Sequence, residues 1–112
     1  MPKEVKIGIL GLGVVGTGVA KILLEQNNLL TERTGIEFRL KTVVDLDWER
    51  DRGVSLEGIK TATNIEELVD DPEIEIMVET MGGIEPAFSY VMRALAARKH
   101  VVTANKALIA LK

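Results

Sequence analysis

The most constraining feature of this sequence is a glycine-rich segment that lies between a short apolar run and a helical pattern. The apolar run, Val5 to Leu10, reads VKIGIL, and Gly11 to Gly16 reads GLGVVG, which is G-x-G-x-x-G. An apolar run bounded by glycine is typical of a buried parallel strand. A strand, a glycine turn and a helix in this order predict a site at which a helix N-terminus holds phosphate groups.

The three glycines of the turn have separate roles in such a site. Gly11 permits the tight turn, Gly13 lets a pyrophosphate approach the backbone, and Gly16 lets the helix pack closely against the strand. Free N–H groups and the positive end of the helix dipole then stabilise the phosphates. The alternative is a glycine turn that is present for steric reasons alone. The residues predicted to bind a dinucleotide here are Gly11, Leu12, Gly13, Val14, Val15 and Gly16.

After the turn, the spacing of apolar residues predicts one long helix that runs to about Arg33 and stops at Gly35. A strand from Phe38 to Val44 follows, and Asp45 lies at its end. The stretch from Leu46 to Lys60 is charged and irregular. The predicted apolar stripe of the helix is Val15, Val19, Ile22, Leu23, Gln26 and Leu30.

A capping-box spacing marks a short helix in the second half of the chain. Thr63 and Glu66 have the S/T-x-x-E spacing, so a helix is predicted from Asn64 to Asp70, ended by Pro72. The next strand is predicted from Ile74 to Thr80.

One further helix and one further strand continue the alternation. Gly82 and Gly83 form a turn, and Pro86 fits the first turn of a helix because its missing N–H would have no partner there. The last strand is predicted from His100 to Ala104, and Asn105 to Lys112 begins another helical pattern. The predicted apolar face of the helix is Phe88, Val91, Met92, Leu95 and Ala96.

Alternating strands and helices are typical of a parallel sheet with helices on both faces. The predicted fold is α/β: a three-layer, doubly wound, Rossmann-type sheet that is mainly parallel and truncated after about five strands. At 112 residues the chain is too short for a cofactor domain paired with a separate substrate domain. We therefore expect one dinucleotide-binding domain over residues 1–112, without the substrate and dimerisation domain.

The composition argues against several other classes of function. The formal net charge is -3, and no basic patch of the kind that binds nucleic acid is visible. No apolar run approaches the roughly 20 residues that cross a bilayer, so no membrane partner is expected. The absence of cysteine excludes thiolate metal sites, and no metal site is predicted. The N-terminus has no signal-like segment, which predicts a cytoplasmic location.

Asp45 is the candidate for a carboxylate that binds the adenosine ribose hydroxyls. A carboxylate at this place would repel a 2′-phosphate, so NAD is favoured over NADP. Two alternatives stay open. Asp45 could be one solvated acid in an acidic run, and Arg50, Arg52 or Lys60 could fold back onto a phosphate, which would permit NADP.

The carboxyl ends of the later strands carry small or polar residues. Open parallel sheets bind ligands at these ends, which here are residues 80–83, reading TMGG, and 103–106, reading TANK. Thr80, Met81 and Gly82 would let a nicotinamide ribose approach the backbone. Lys106 would place an ammonium group next to the ring and the substrate, where its charge could hold a carboxylate or polarise a carbonyl.

At these residues the chain closely resembles homoserine dehydrogenase. The resemblance rests on GLGVVG, on VETMGG with a following Pro-Ala, and above all on HVVTANKAL, in that family's order and spacing. It covers essentially the whole chain. The resemblance implies a nicotinamide-dependent, reversible interconversion of homoserine and aspartate 4-semialdehyde, a step toward threonine, methionine and isoleucine.

The resemblance also implies roles for residues and for missing parts. Lys106 would be the catalytic residue, lying beside the nicotinamide to position the small amino-acid substrate or transfer a proton. The family's remaining substrate-binding acids, a second catalytic lysine and most of the subunit interface belong to a following domain. We therefore expect this chain to be a piece of a longer, homo-oligomeric parent. The piece alone is expected to bind NAD or NADP with little or no turnover. Whether that parent also carries an aspartate kinase is open.

Two other functions fit part of the pattern. One is another dehydrogenase or reductase with the same N-terminal half, such as an aspartate dehydrogenase or a dihydrodipicolinate reductase. The other is a regulatory module that binds NAD without chemistry, since fold alone does not fix function. Lys106 argues against both, whereas His100 precedes its strand and is therefore expected at the wrong end of the sheet for catalysis.

Overall fold

Strands and helices follow one another along the chain largely in the predicted alternation, with one helix and one strand more than predicted among the described residues. The computed structural model describes residues 3–45, 55–81 and 86–103. The predictions for residues 46–54, for the turn at 82–85 and for 104–112 lie outside these ranges. The described elements are β1 (Lys3–Leu10), α1 (Val14–Glu25), α2 (Asn27–Thr34), β2 (Ile36–Val44), β3 (Lys60–Ala62), α3 (Glu66–Val69), β4 (Ile74–Glu79), α4 (Ala87–Ala96) and β5 (His100–Thr103).

The strands form one five-stranded sheet in the order β3-β2-β1-β4-β5. Every pair of neighbouring strands is parallel. The chain builds outward from β1 to β3 on one side, then crosses over to place β4 and β5 on the other side. The strand order therefore reverses next to β1, and in open α/β sheets ligands bind at the carboxyl ends of the strands at such a switch point.

Two hydrophobic cores lie on opposite faces of the sheet. Ile9 is fully buried in the core that includes Leu23 of α1. Its neighbour Leu10 faces the other core, with Leu68 of α3 and Ala94 of α4. Adjacent strand residues point to opposite faces, so this alternation confirms the predicted three-layer, Rossmann-type α/β fold.

The single long helix predicted after the turn is wrong, because it is broken at Gln26. There φ is -111° and ψ is 16°, outside the α-helical region. The side chain of Asn27 donates to the carbonyl of Leu23 at 3.3 Å and to that of Phe38 in β2 at 2.5 Å. Asparagine side chains compete in this way with helical hydrogen bonds. The predicted stop at Gly35 is confirmed, with φ of 74°.

The predicted buried face of α1 is right only in part. Leu23 is buried and two further members of the predicted stripe pack against the core, but Val15 and Ile22 are about half exposed. Gly16 and Ala20, which the prediction leaves out, are buried. The contact face therefore includes small residues that the spacing of large apolar residues does not reveal.

The predicted face of α4 is likewise right only in part, because Val91 packs against the core but other members of the face do not. Met92 and Leu95 are 48% and 49% exposed, while Ala87 and Ala94 are buried. Tyr90 and other partly buried side chains pack around the core between these alanines. The predicted start of this helix is confirmed, with Pro86 immediately before its first residue.

Two local features differ from the prediction. The short strand β3 was missed, because three residues are too few for a recognisable alternation. The predicted capping box is wrong as to its residue, since Asn64 rather than Thr63 provides the oxygen. Its side-chain oxygen accepts the N–H of Glu66 at 2.9 Å.

Candidate functional site

The glycine turn begins where β1 meets the ends of its two neighbours. Gly11 has φ of 96°, which side chains rarely tolerate, and a Cβ there would lie 3.0 Å from the amide nitrogen of Met81. Its own N–H donates to the carbonyl of Val44 at 2.8 Å. Glycine is therefore required here both for the turn and for contact with the chain that leaves β4.

Gly16 brings α1 directly against this turn. A Cβ on Gly16 would stand 2.1 Å from the carbonyl oxygen of Gly11 and 2.7 Å from the hydroxyl of Thr80. Both distances are far below van der Waals contact, so no side chain fits. The role predicted for the third glycine, close packing of helix on strand, is what the local geometry requires.

Gly13 differs from the other two glycines because open space surrounds it. It caps α1, and a Cβ built on it would meet nothing within 4 Å. The helix has no side-chain hydrogen bond at its cap and no acidic residue in its first turn. Val14 is 93% exposed. The backbone at the start of α1 is thus accessible from solvent, as an anion site needs.

Thr80 lies behind the turn. Its N–H donates to the carbonyl of Leu10 at 2.9 Å, and its hydroxyl donates to the carbonyl of Gly11 at 2.6 Å. The side chain therefore fixes the turn to the end of β4. This role was not part of the sequence prediction, which placed Thr80 among the cofactor contacts.

Asp45 reaches back to the turn from the end of β2. Its Oδ2 accepts the N–H of Leu12 at 2.5 Å, and its own N–H donates to the carbonyl of Ala62 at 3.0 Å. The interval of 33 residues between carboxylate and amide is closed by the parallel pairing of β1 with β2. Asp45 is therefore part of the turn's hydrogen-bonding system as well as being half-buried beside it.

A cleft of about 240 Å³ opens at these strand ends. It combines residues predicted for the site with Thr63, Ile65 and Tyr90, which were not predicted to belong to it. Thr63 and Ile65 follow the missed strand β3, so correct placement of that strand would have pointed to them. The lining residues are Leu10, Gly11, Leu12, Gly13, Val44, Asp45, Thr63, Ile65, Thr80, Met81 and Tyr90.

Glu79 is a second carboxyl group at this end of the sheet, and it is fully buried. Oε2 accepts the N–H of Met81 at 2.8 Å, and Oε1 accepts the hydroxyl of Thr103 at 2.8 Å. In the sequence Glu79 is the second of two acids in the strand IEIMVE, and the alternation of the strand does not distinguish it as a member of the site. Gly82 and Lys106 lie outside the described residues.

Lysines dominate the opposite end of β4. The ammonium of Lys41 lies 2.5 Å from Oδ2 of Asp71 and 2.8 Å from Oε1 of Glu73. Hydrogen bonds to these two carboxylates raise the pKa of Lys41 above its ordinary value of 10.5. Lys99 is 5% exposed, and burial lowers the pKa of its ammonium. These groups are remote from the cleft, and none of them lines it.

Comparison with known proteins identifies the family of this domain. Residues 11–112 match the family profile described as homoserine dehydrogenase, NAD binding domain. The chain is 46% identical over 106 residues to a homoserine dehydrogenase of Synechocystis, covering 95% of this chain and 24% of that protein. It is 39% identical over 108 residues to one of Bacillus subtilis, covering 96% of this chain and 25% of that protein.

A solved structure agrees with the sequence matches. The crystal structure of a homoserine dehydrogenase from Thiobacillus denitrificans superposes with a TM-score of 0.88 at 42% identity, covering 97% of this chain and 25% of that chain. The chain thus spans about a quarter of the length of these relatives. None of the helices in the described ranges has the length and apolar character that a membrane span requires. The chain belongs to the homoserine dehydrogenase family and corresponds to its domain that binds a nicotinamide dinucleotide.

Proposed function

We propose that this chain is the cofactor-binding domain, over residues 1–112, of an enzyme that interconverts homoserine and aspartate 4-semialdehyde. The observation that carries the proposal is the glycine turn, in which Gly11 and Gly16 are closed by packing while Gly13 stays open. The names of the matched relatives supply the substrate. The family match also favours this function over an aspartate dehydrogenase or a dihydrodipicolinate reductase.

The pyrophosphate binds at the start of α1. The backbone from Gly13 to Gly16 provides N–H donors there, since the N–H of Gly11 already donates to Val44. The helix dipole adds positive potential without any lysine. Exposure of Val14 and Val15 supports this, as does the open space within 4 Å of a Cβ built on Gly13. Leu12 is held in place because its N–H already donates to Asp45.

The adenosine half occupies the part of the cleft beside β2, and Met81 lines the part that continues toward β4. Ile65 and Tyr90 give the cleft apolar walls that suit a planar base, and Asp45 presents a carboxylate near the place of the ribose. We favour NAD over NADP on this charge. The ammonium of Lys60, one candidate for binding a 2′-phosphate, is paired with Glu67 on the surface, which supports the same choice.

The nicotinamide half lies toward β4 and β5, because the dinucleotide crosses the switch point next to β1. The bound cofactor supplies the hydride acceptor for alcohol oxidation. Met81 and Gly82 follow β4 and form the backbone near the ring. Lys106, which follows β5, holds the substrate carboxylate or moves a proton at the reacting oxygen.

Turnover needs the rest of the parent protein. The matched relatives are about four times longer than this chain, since it covers 24% to 25% of them. We therefore propose that the chain alone binds cofactor with little or no turnover. The parent is proposed to be a cytoplasmic homo-oligomer that completes the substrate site with residues from a further domain.

Two glycines of the chain provide a matched test of the pyrophosphate site. Gly13→Ala and Gly18→Ala each add one methyl group where nothing lies within 4 Å, so both variants should fold. The methyl group at Gly13 enters the space proposed for the phosphates, whereas the one at Gly18 lies one turn further along α1. Each variant is titrated with NADH and NADPH, following nicotinamide fluorescence.

We expect Gly13→Ala to weaken NADH binding at least tenfold and Gly18→Ala to bind within twofold of the original chain. The original chain should bind NADH more tightly than NADPH. Equal binding by both glycine variants would place the cofactor elsewhere and would remove the proposal. Measurable homoserine oxidation by the isolated chain would contradict the need for a further domain.

A further inference from the structure

Glu79 is the one carboxylate among the described residues that is completely buried. It lies at the last position of β4, directly beside the switch point in strand order. A carboxyl group removed from water stabilises a fold only if its oxygens are hydrogen-bonded. Its two partners therefore indicate what it is for.

The two oxygens of Glu79 bind two different chain segments. Oε2 accepts the N–H of Met81, two residues further along the same segment, at 2.8 Å. Oε1 accepts the hydroxyl of Thr103, the last residue of β5, at 2.8 Å. Glu79 and Thr103 are register partners in the pairing of β4 with β5. One side chain thus fixes the points at which both segments leave the sheet.

These two segments are the ones that the proposed function assigns to the nicotinamide half. Met81 lines the cleft, and Thr103 begins the TANK segment that ends at Lys106. A buried carboxyl group is a weak source of stability compared with a well-packed apolar side chain. Its directional hydrogen bonds instead set the position of backbone, which is useful where a ligand must be held.

We propose that Glu79 is a positioning residue that holds the ends of β4 and β5 in register for the nicotinamide half of the cofactor. The inference rests on the proposed function, since it assumes that a dinucleotide crosses this edge. Glu79 acts through Met81 and Thr103 and is not itself in contact with the cofactor. The adenosine half, bound on the β2 side, should not depend on it.

The test compares two ligands on four forms of the chain. NADH contains both halves of the dinucleotide, and ADP-ribose has the same adenosine, pyrophosphate and second ribose without the nicotinamide ring. The forms are the original chain, Glu79→Gln, Thr103→Val and Thr103→Ser. Glu79→Gln keeps the shape but places an amide NH₂ where one acceptor oxygen was. Thr103→Val removes the hydroxyl, and Thr103→Ser retains it.

We expect Thr103→Val to weaken NADH binding at least fivefold while ADP-ribose binds within twofold of the original. Glu79→Gln, whose amide can donate to the Thr103 hydroxyl instead of accepting from it, should show the same selectivity with a smaller loss. Thr103→Ser should bind both ligands normally, which would be rescue by the conservative variant. The ratio of the two affinities is the decisive quantity, because a general loss of folded protein lowers both affinities together and leaves the ratio unchanged.

Three outcomes would overturn the inference. An unchanged ratio in Thr103→Val does so even if Glu79→Gln fails to fold, because Thr103 is partly exposed and its substitution is mild. An equal loss for both ligands in both variants assigns Glu79 a structural role only. If the original chain binds neither ligand, the proposed function fails, and the inference that rests on it fails as well.

Discussion

At both ends of the parallel sheet, charged side chains bind backbone groups, but the charge of these side chains differs between the two ends. At the carboxyl end, Asp45 and Glu79 accept N–H groups from the glycine turn and from the segment after β4. At the amino end, the ammonium of Lys99 donates to the carbonyls of Asp71 and Ile74 at 2.6 and 2.7 Å. Carboxyl groups thus bind backbone N–H groups at the carboxyl end, and an ammonium group binds backbone carbonyls at the amino end.

The two ends also differ in what surrounds the fixed backbone. The cleft of about 240 Å³ at the carboxyl end is lined by the glycine turn, whereas the hollows of about 470 and 260 Å³ toward the amino end are lined in part by charged side chains such as Lys41 and Glu73. At Asp71 the ammonium of Lys41 contacts the side-chain carboxylate, and the ammonium of Lys99 donates to the backbone carbonyl. The carboxyl end is therefore organised for binding and the amino end for stability, so substitutions at the two ends should separate these properties.

The largest effect is expected at the amino end. Lys99→Ala removes the donor from the carbonyls of Asp71 and Ile74, and leaving buried acceptors unsatisfied costs about 2 to 3 kcal/mol of unfolding free energy. Lys21→Ala, on the exposed side of α1, is the control. Urea unfolding measures the loss. Affinity for NADH, measured well below the unfolding midpoint, should be unchanged, and a tenfold drop would break the division between the two ends.

A smaller effect is expected at the carboxyl end, and it concerns the choice of cofactor rather than the stability of the fold. Asp45→Asn removes the charge that disfavours a 2′-phosphate but keeps an oxygen that can accept the N–H of Leu12. We expect the preference for NADH over NADPH to shift toward NADPH by about tenfold, or roughly 1.4 kcal/mol. Glu75→Gln makes the same change of charge near the amino end and should not shift it. Fluorescence titration with NADH and NADPH measures the preference. An unaltered preference in Asp45→Asn would mean that the charge of Asp45 does not favour NAD.

The smallest effect concerns pH and the surface lysines. Hydrogen bonds from Lys41 and then Lys6 lower the pKa of Glu73 below 4.5. Burial raises the pKa of Asp71, but hydrogen bonds from Lys41 and the backbone of Glu73 outweigh it, so that the pKa lies below 3.8. Carboxylates with lowered pKa stabilise the fold above their unfolded pKa, and this stability is lost as the pH falls through the folded value.

Lys41→Met should therefore reduce the loss of stability below about pH 4.5. At the alkaline side the sign is reversed, because a raised lysine pKa stabilises the fold below 10.5 and the contribution disappears as the pH rises past the folded value. Thermal unfolding midpoints from acid to alkaline pH test both sides, with Lys21→Met as the control. Parallel profiles for Lys41→Met and the original chain would show that these ion pairs contribute nothing.

Sequence patterns predicted the structure correctly where neighbouring residues determine it. The glycine turn, the strand before it and Asp45 after β2 were all predictable, because glycine spacing and strand alternation are properties of neighbouring residues. The parallel, doubly wound sheet follows from their alternation. What these patterns leave undetermined is which side of a helix is buried.

The errors arise where distant segments meet. The helix breaks at Gln26 because Asn27 binds the carbonyl of Phe38, a contact that spacing along the helix does not reveal. The role of Glu79 depends on Thr103, which is 24 residues away. Nothing near Glu79 in sequence indicates that its oxygens are shared between two strand ends, so the candidate site could be predicted only in part.

The motif G-x-G-x-x-G contains two independent reasons for glycine. At Gly16 the reason lies in the polypeptide itself, since an added carbon would overlap the Gly11 carbonyl whether or not a ligand is present. At Gly13 an added carbon would meet nothing within 4 Å, so the polypeptide itself does not require glycine there, whereas the proposed pyrophosphate would. Selection for a foldable protein would therefore retain Gly16. Under the proposed function, only selection for nucleotide binding would retain Gly13.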